Sequence, residues 1–360
     1  MTRLLSIQAL RGLAVLGVVA FHAQIVEQKY SGGDSLLPLF LDVGRSGVDL
    51  FFVISGFVMV MVTQRRFGQA GETPRFLWGR LSRIYPTYWF YFALTAAVFL
   101  VKPQWVNASQ GHEVRLLSSF LLWPSDRLPL VMVAWSLIHE LWFYLVFSIL
   151  LLFRRAWLLP LLLAWAAIVI AASRIAPDAL SPALRIALHP YALEFIVGAL
   201  VALFCFSRHA ARLPVWAAWL ALVATLLAGV PLVRQSGVLD AETLQHAVAV
   251  GGLYGLLLLS MVTLESAGKM AVPRSLCFVG DISYTVYLSH VLVLGTIGRL
   301  WQLTTPVPDS LGDNTLAVLL MLAAVLVYGW LGFRLVEQPL LRASRRLRAR
   351  WFGRALLPSE

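Results

Sequence analysis

The 360-residue sequence predicts an all-α protein, a polytopic membrane-embedded helical bundle of about ten spans with both termini cytoplasmic. Three observations carry this. Hydrophobic residues make up 59% of the chain and charged residues only 13%, with a mean hydropathy of +0.78, whereas charged residues are about a quarter of a soluble domain. The apolar residues fall in long unbroken runs near the ~20 residues a helix needs to cross a bilayer; a β-barrel would show roughly ten-residue segments of period two. Lysine and arginine are also shared unevenly between alternate loops.

The runs place spans at about 4–26, 47–63, 85–101, 131–153, 157–173, 186–206, 214–233, 244–264, 276–300 and 314–335, the second, third and fifth being short. One set of loops holds Arg3, Arg65, Arg66, Arg75, Arg80, Arg83, Arg154, Arg155, Arg208, Arg212, Lys269 and Arg274, with a tail rich in arginine. The other holds Lys29, Arg45, Lys102, Arg115, Arg127, Arg174 and Arg234, mostly diluted by acids. The positive-inside rule makes the first set cytoplasmic. Both termini then lie inside, which requires an even number of spans and agrees with ten. The net charge of +11 follows from this topology and is not a sign of nucleic-acid binding. Residues 1–340 form the transmembrane domain, and residues 341–360, with Arg342, Arg345, Arg346, Arg348, Arg350 and Arg354, a basic cytoplasmic tail suited to an anionic leaflet.

Other standard signals are absent. The first apolar segment begins like a signal peptide but is too long and lacks a small-residue cleavage site, so it is expected to stay in place. Cys205 and Cys277 fall near cytoplasmic helix ends, where thiols stay reduced. No His or Cys pair has the spacing of a metal site and no glycine-rich phosphate loop occurs. No internal repeat argues for a transporter with inverted halves.

The informative residues are polar groups inside the spans. A charge at mid-bilayer costs about 2.5 to 3.5 kcal/mol even on the lenient insertion scale. Arg11 and His22 share the first span, eleven residues apart, so they point within about 20° of one another at depths about 16 Å apart. Arg11, about 10 Å deep by helical rise, is near the limit of snorkelling to the surface. His22 is either a packing histidine or a general base. Asp49 opens the second span in GVDLFFVISGF, at the outer interface or in a functional site. The fourth span, AWSLIHELWFY, places adjacent His139 and Glu140 below the outer face. Glu194, near mid-bilayer in the sixth, is a partner for His189 or for an arginine of another helix. The ninth, DISYTVYLSHVLVL, carries Asp281 and His290, which serve either as interhelical hydrogen bonds worth about 1 kcal/mol or in a direct role.

The cytoplasmic segment RFLWGRLSRIYP holds Arg80 and Arg83 three apart, on one face if the third helix starts early. Juxtamembrane arginines are usually orientation signals. Yet their planar forks suit the phosphates of a nucleotide-like donor held at the mouth of a cavity.

Six strings in order, LLSIQALRGLAVLGVVAFHA, GVDLFFVISGF, RLSRIYP, WSLIHELWFY, GDISYTVYLSH and VEQP, together resemble the acyltransferase-3 family of bacterial membrane acyltransferases over nearly the whole chain. The resemblance implies O-acylation, usually O-acetylation, of surface glycans from a cytoplasmic acyl-CoA, in the bacterial inner membrane, and is strongest to the stand-alone exopolysaccharide acetyltransferases. It implies no permanently bound cofactor, with acetyl-CoA as the donor substrate and a glycan or lipid-linked glycan as acceptor. By this resemblance His22 matches the family's essential first-helix histidine and Arg11 its paired arginine. Arg80 and Arg83 match the RxxR motif linked to acyl-CoA handling, and Glu337 a recurrent glutamate. Trp135, Ser136 and Glu140 match the WSL-x-x-E string. Many relatives continue into an extra span and a periplasmic SGNH-type domain, where this chain has its basic tail.

The expected machinery is therefore His22 as base, with Glu140 or Asp49 orienting the imidazole as the acid does in a catalytic triad. Arg11 is expected at the oxyanion or the donor phosphates, and an acyl-histidine intermediate is a variant these residues permit. Tyr85, Trp135, Ser136, His139, Glu194 and His290 are expected to line the substrate cavity. A glycan exporter or proton-coupled carrier remains the alternative, because intramembrane Arg, His and Glu also mark ion pathways. The acceptor and oligomeric state stay open.

Overall fold

A computed structural model describes residues 4–31, 36–37, 39–106, 113–176, 179–235, 243–305 and 310–352. Arg3 and the tail beyond Phe352, with Arg354, lie outside the described residues. The helices are α1 (Leu5–Tyr30), α2 (Gly47–Thr63), α3 (Glu72–Val101), α4 (Leu116–Leu121), α5 (Trp135–Leu150), α6 (Leu158–Ala172), α7 (Pro182–Ala187), α8 (Tyr191–Cys205), α9 (Val215–Gln235), α10 (Leu244–Ser266), α11 (Arg274–Thr304), α12 (Leu311–Gly332) and α13 (Gln338–Phe352). Ten segments are long and apolar enough to cross a membrane, in the predicted order. The chain is a multi-pass membrane protein.

Close backbone approach builds the centre. Helices α1 and α11 run side by side in close backbone contact, because Gly280 faces Gln8 and Gly12 faces Leu276. A Cβ at Gly280 would stand 1.9 Å from the Gln8 carbonyl oxygen, and one at Gly12 2.4 Å from that of Leu276. Helices α2 and α8 meet the same way at Gly56 and Gly198. In lipid, where apolar surface alone does not drive helices together, such small-residue seams supply the packing.

The ends are tied by polar groups. The Leu5 and Ser6 N–H groups, orphaned at the start of α1, donate to the Glu265 carboxylate at 2.7 and 2.9 Å. At the opposite end Glu27 accepts from the Leu36 and Leu37 N–H groups at 2.6 and 2.8 Å. These two carboxylates satisfy backbone and are structural.

Two helices extend beyond the spans read from hydropathy. Helix α3 begins at Glu72 rather than near residue 85, so Arg75, Arg80 and Arg83 sit on its first three turns. Its polar, basic start hides it from a hydropathy window. Beyond α12 a π-helical turn, Phe333–Glu337, leads straight into α13, which packs on α3, with the Trp78 and Trp351 rings 4.9 Å apart. The expected boundary at residue 340 thus falls within a helix.

Candidate active site

Helix α11 presents a partner to Arg11 and another to His22. Arg11 donates from Nη2 to Ser283 Oγ at 3.0 Å, and His22 lies against His290, Nδ1 to Nε2, at 3.2 Å. The two residues of α1 do face one side, and α11 forms the other wall.

Between α1, α2, α3, α5 and α11 lies a cavity of about 800 Å³, counting space open to solvent. Five of the sequence-predicted residues converge on it: Arg11, Arg80, Arg83, Ser136 and Glu140. Glu140 is held by Ser55, whose hydroxyl donates to Oε1 at 3.0 Å, and by the Tyr144 hydroxyl on the same oxygen. Tyr144 is four residues beyond Glu140, the spacing that stacks side chains on one helix face. That signal lay in the sequence unused. Ser136 and Tyr287 share a hydroxyl contact at 2.7 Å, and Tyr287 also donates to the Val133 carbonyl at 2.9 Å, closing the cavity's far wall. Tyr284 and Ser283 complete the α11 side. Glu337 is 3% exposed and accepts from Thr285 Oγ1 at 2.5 Å, within electrostatic reach of both Arg11 and Arg83.

His22 itself lies beyond Tyr287, whose ring is 5.9 Å from that of His290. Its side-chain hydrogen-bond partner is His290, while Glu140 and Asp49, the acids expected beside it, are bonded to Ser55 with Tyr144 and to His246. The hydrogen bonds fix the tautomers. His290 Nδ1 lies 2.7 Å from the Tyr287 carbonyl oxygen, which only accepts, so Nδ1 carries the hydrogen and Nε2 the lone pair. That lone pair faces His22 Nδ1, which also lies 2.9 Å from the Val18 carbonyl oxygen, so His22 Nδ1 is the donor. The remaining lone pair of His22 is on Nε2. A neutral imidazole with its Nδ1–H anchored and Nε2 open is arranged as a base.

Asp49 and Glu194 are elsewhere. Asp49 Oδ1 contacts His246 Nε2 at 3.0 Å, and Glu194 faces Asp49 rather than His189 or an arginine. All three are buried, and their ligand-type atoms lie within 4.8 Å of one another. Among the described residues this is the one group with the donors and spacing for a cation. The three come from α2, α8 and α10, so no local spacing reveals them. Trp135 and His139 belong to an aromatic nest with Tyr191 and His189, the His139 and His189 rings 4.6 Å apart, and are not on the cavity. Tyr85 also points away from it, donating to the Leu121 carbonyl at 2.8 Å beside Trp89.

A second hollow, about 650 Å³ counting open space, adjoins the first and shares Arg80 and Arg83 with it. Arg66, Arg75, Arg345 and Arg348 also line it. Among the described residues the lining holds six arginines and no carboxylate. At its edge Glu72 bridges Arg66, at 3.6 Å, and Arg75.

The fold is thus a membrane helical bundle with an arginine-bearing cavity among five of its helices. The chain belongs to the acyltransferase-3 family, whose model, described as an acyltransferase domain, matches residues 4–334. It is 30% identical over 328 residues to the exopolysaccharide production protein ExoZ of Rhizobium meliloti (strain 1021), covering 87% of this chain and 95% of that one. It is also 33% identical over 99 residues to protein 2 in the picA locus of Rhizobium radiobacter, 27% of this chain and 47% of that protein. No solved structure matches it. Membership places the chain among acyltransferases.

Proposed function

We propose that the protein is an integral O-acyltransferase of the bacterial inner membrane that moves an acetyl group from cytoplasmic acetyl-CoA to a hydroxyl of exopolysaccharide or its lipid-linked precursor. The observation that carries this reading is that Arg80 and Arg83 border both hollows, the arginine-lined one and the interior one that holds Arg11 and Glu140. The relative's name supports the acceptor class, and the arginine asymmetry supports a cytoplasmic mouth.

In this account the donor's phosphates stay among the arginines while the thioester enters the cavity. The acceptor hydroxyl reaches half-buried His22 from the opposite end. His22 Nε2 takes the hydroxyl proton as the oxygen attacks the thioester carbonyl. The carbon–oxygen bond forms, the carbon–sulfur bond breaks, and the proton passes to the departing CoA thiolate. His290 holds the imidazole and is a positioning residue. Arg11, on the cavity side and about 16 Å from His22 along α1 by helical rise, stands with the donor and not at the reacting carbonyl.

Cells with and without the protein test this by mass spectrometry of their surface glycans: acetyl groups are lost while glycan length is unchanged. Loss of the glycan itself would contradict the reading. Arg83→Lys keeps a charge but not the bidentate fork, so the KM for acetyl-CoA is expected to rise roughly tenfold. An unchanged KM would leave Arg83 a topology signal. His290→Ala is expected to lower kcat about 10²-fold with little change in KM, the loss typical of a reacting group misplaced by about 1 Å. Equal effects on kcat and donor KM would argue against positioning.

A further inference from the structure

The donor reading leaves the C-terminal helix unexplained. On α13, Leu341, Ser344, Arg345 and Arg348 recur at three- and four-residue spacing, one face of a helix, and all four line the arginine hollow. Arg342, Arg346 and Arg350 are exposed and outside that lining. The helix is seated: Trp351 packs on Trp78, and Arg348 Nη1 lies 3.6 Å from where a Cβ of Gly79 would be. A helix serving only as a lipid anchor would leave all its arginines to the headgroups. Here two of them border the hollow beside Arg75, Arg80 and Arg83, Arg348 half-buried and Arg345 exposed at its rim. Six guanidiniums line the hollow and one carboxylate, Glu72, stands at its edge between Arg66 and Arg75, so the ligand this lining matches by charge is a compact polyanion. The 3′-phosphorylated ADP end of CoA carries roughly four negative charges, a diphosphate and a phosphomonoester. The pantetheine arm carries none.

Building on the proposed donor, we propose that α13 is the outer jaw of the donor site, with Arg345 and Arg348 gripping the phosphorylated nucleotide end of acyl-CoA against α3. The jaw makes the enzyme selective for CoA thioesters over shorter pantetheine thioesters. It also assigns the basic tail a binding role in addition to its contact with the membrane surface.

The test uses the purified full chain in neutral-lipid nanodiscs, with initial rates from acetyl-CoA, acetyl-3′-dephospho-CoA and S-acetylpantetheine. Wild type is expected to have its lowest KM for acetyl-CoA. The double variant Arg345→Gln/Arg348→Gln is expected to raise that KM at least about tenfold, with kcat near wild type and the S-acetylpantetheine KM unchanged. Direct binding of CoA, followed by thermal shift, should weaken in parallel. An unchanged acetyl-CoA KM overturns the jaw, including where the variant loses affinity for anionic vesicles, since α13 is then a lipid anchor. Equal loss with S-acetylpantetheine also overturns it, as damage to the fold. A wild type that transfers from S-acetylpantetheine but not from acetyl-CoA overturns the donor reading itself; a wild type active on acetyl-CoA beside an indifferent variant overturns only the jaw.

Discussion

His22→Ala is expected to abolish acyl transfer while the protein remains inserted and abundant. The rate falls by about the 10² to 10⁴ that a positioned base contributes. The geometry gives the reason: of the two paired imidazoles, His290 spends both nitrogens, Nδ1 on the Tyr287 carbonyl and Nε2 on His22, while His22 keeps an open Nε2. Removing His22 therefore deletes the base, and removing His290 only loosens it. The variants are separated by measuring labelled-acetyl transfer per mole of monodisperse protein, with His22→Ala below His290→Ala. The reverse order would exchange their roles, and wild-type transfer by His22→Ala would remove the base from the account.

Gly198→Leu is expected to prevent assembly of the bundle altogether. A Cβ on Gly198 would stand 1.8 Å from the Val53 carbonyl oxygen, and one on Gly56 1.9 Å from that of Phe195, so neither backbone has room to give. The whole α2–α8 seam would have to part. The penalty exceeds the ~1–3 kcal/mol of ordinary overpacking, because the obstruction is backbone and not a side chain that can turn. The effect would reach the cavity, since α2 carries Ser55 to Glu140 and Asp49 to His246. Size-exclusion profiles and thermal melts in detergent measure it. Gly252→Ala is the control, because no atom lies within 4 Å of the added Cβ. A monodisperse Gly198→Leu protein melting with wild type would contradict the seam.

What the sequence revealed and what it hid follow one physical division. Arg11 and His22 were legible because a helix fixes the relative direction of residues eleven apart, whatever surrounds it. Their partners were not, since Ser283 and His290 arrive from α11 more than 260 residues away. The same limit sent the orienting role to Glu140 or Asp49, the acids nearest at hand by motif. It also hid the Asp49–Glu194–His246 cluster, built from three helices. The start of α3 and the seating of α13 escaped for a different reason: both are basic, amphipathic helix ends, in which hydropathy sees only the absence of a span.

The most direct measurement is made on the purified protein, given acetyl-CoA labelled in the acetyl group and an oligosaccharide fraction of the exopolysaccharide, with His22→Ala alongside. The account predicts label on the glycan in an alkali-labile ester, free CoA released in equal amount, and neither with His22→Ala. Unlabelled glycan and intact acetyl-CoA with the wild-type protein would contradict it.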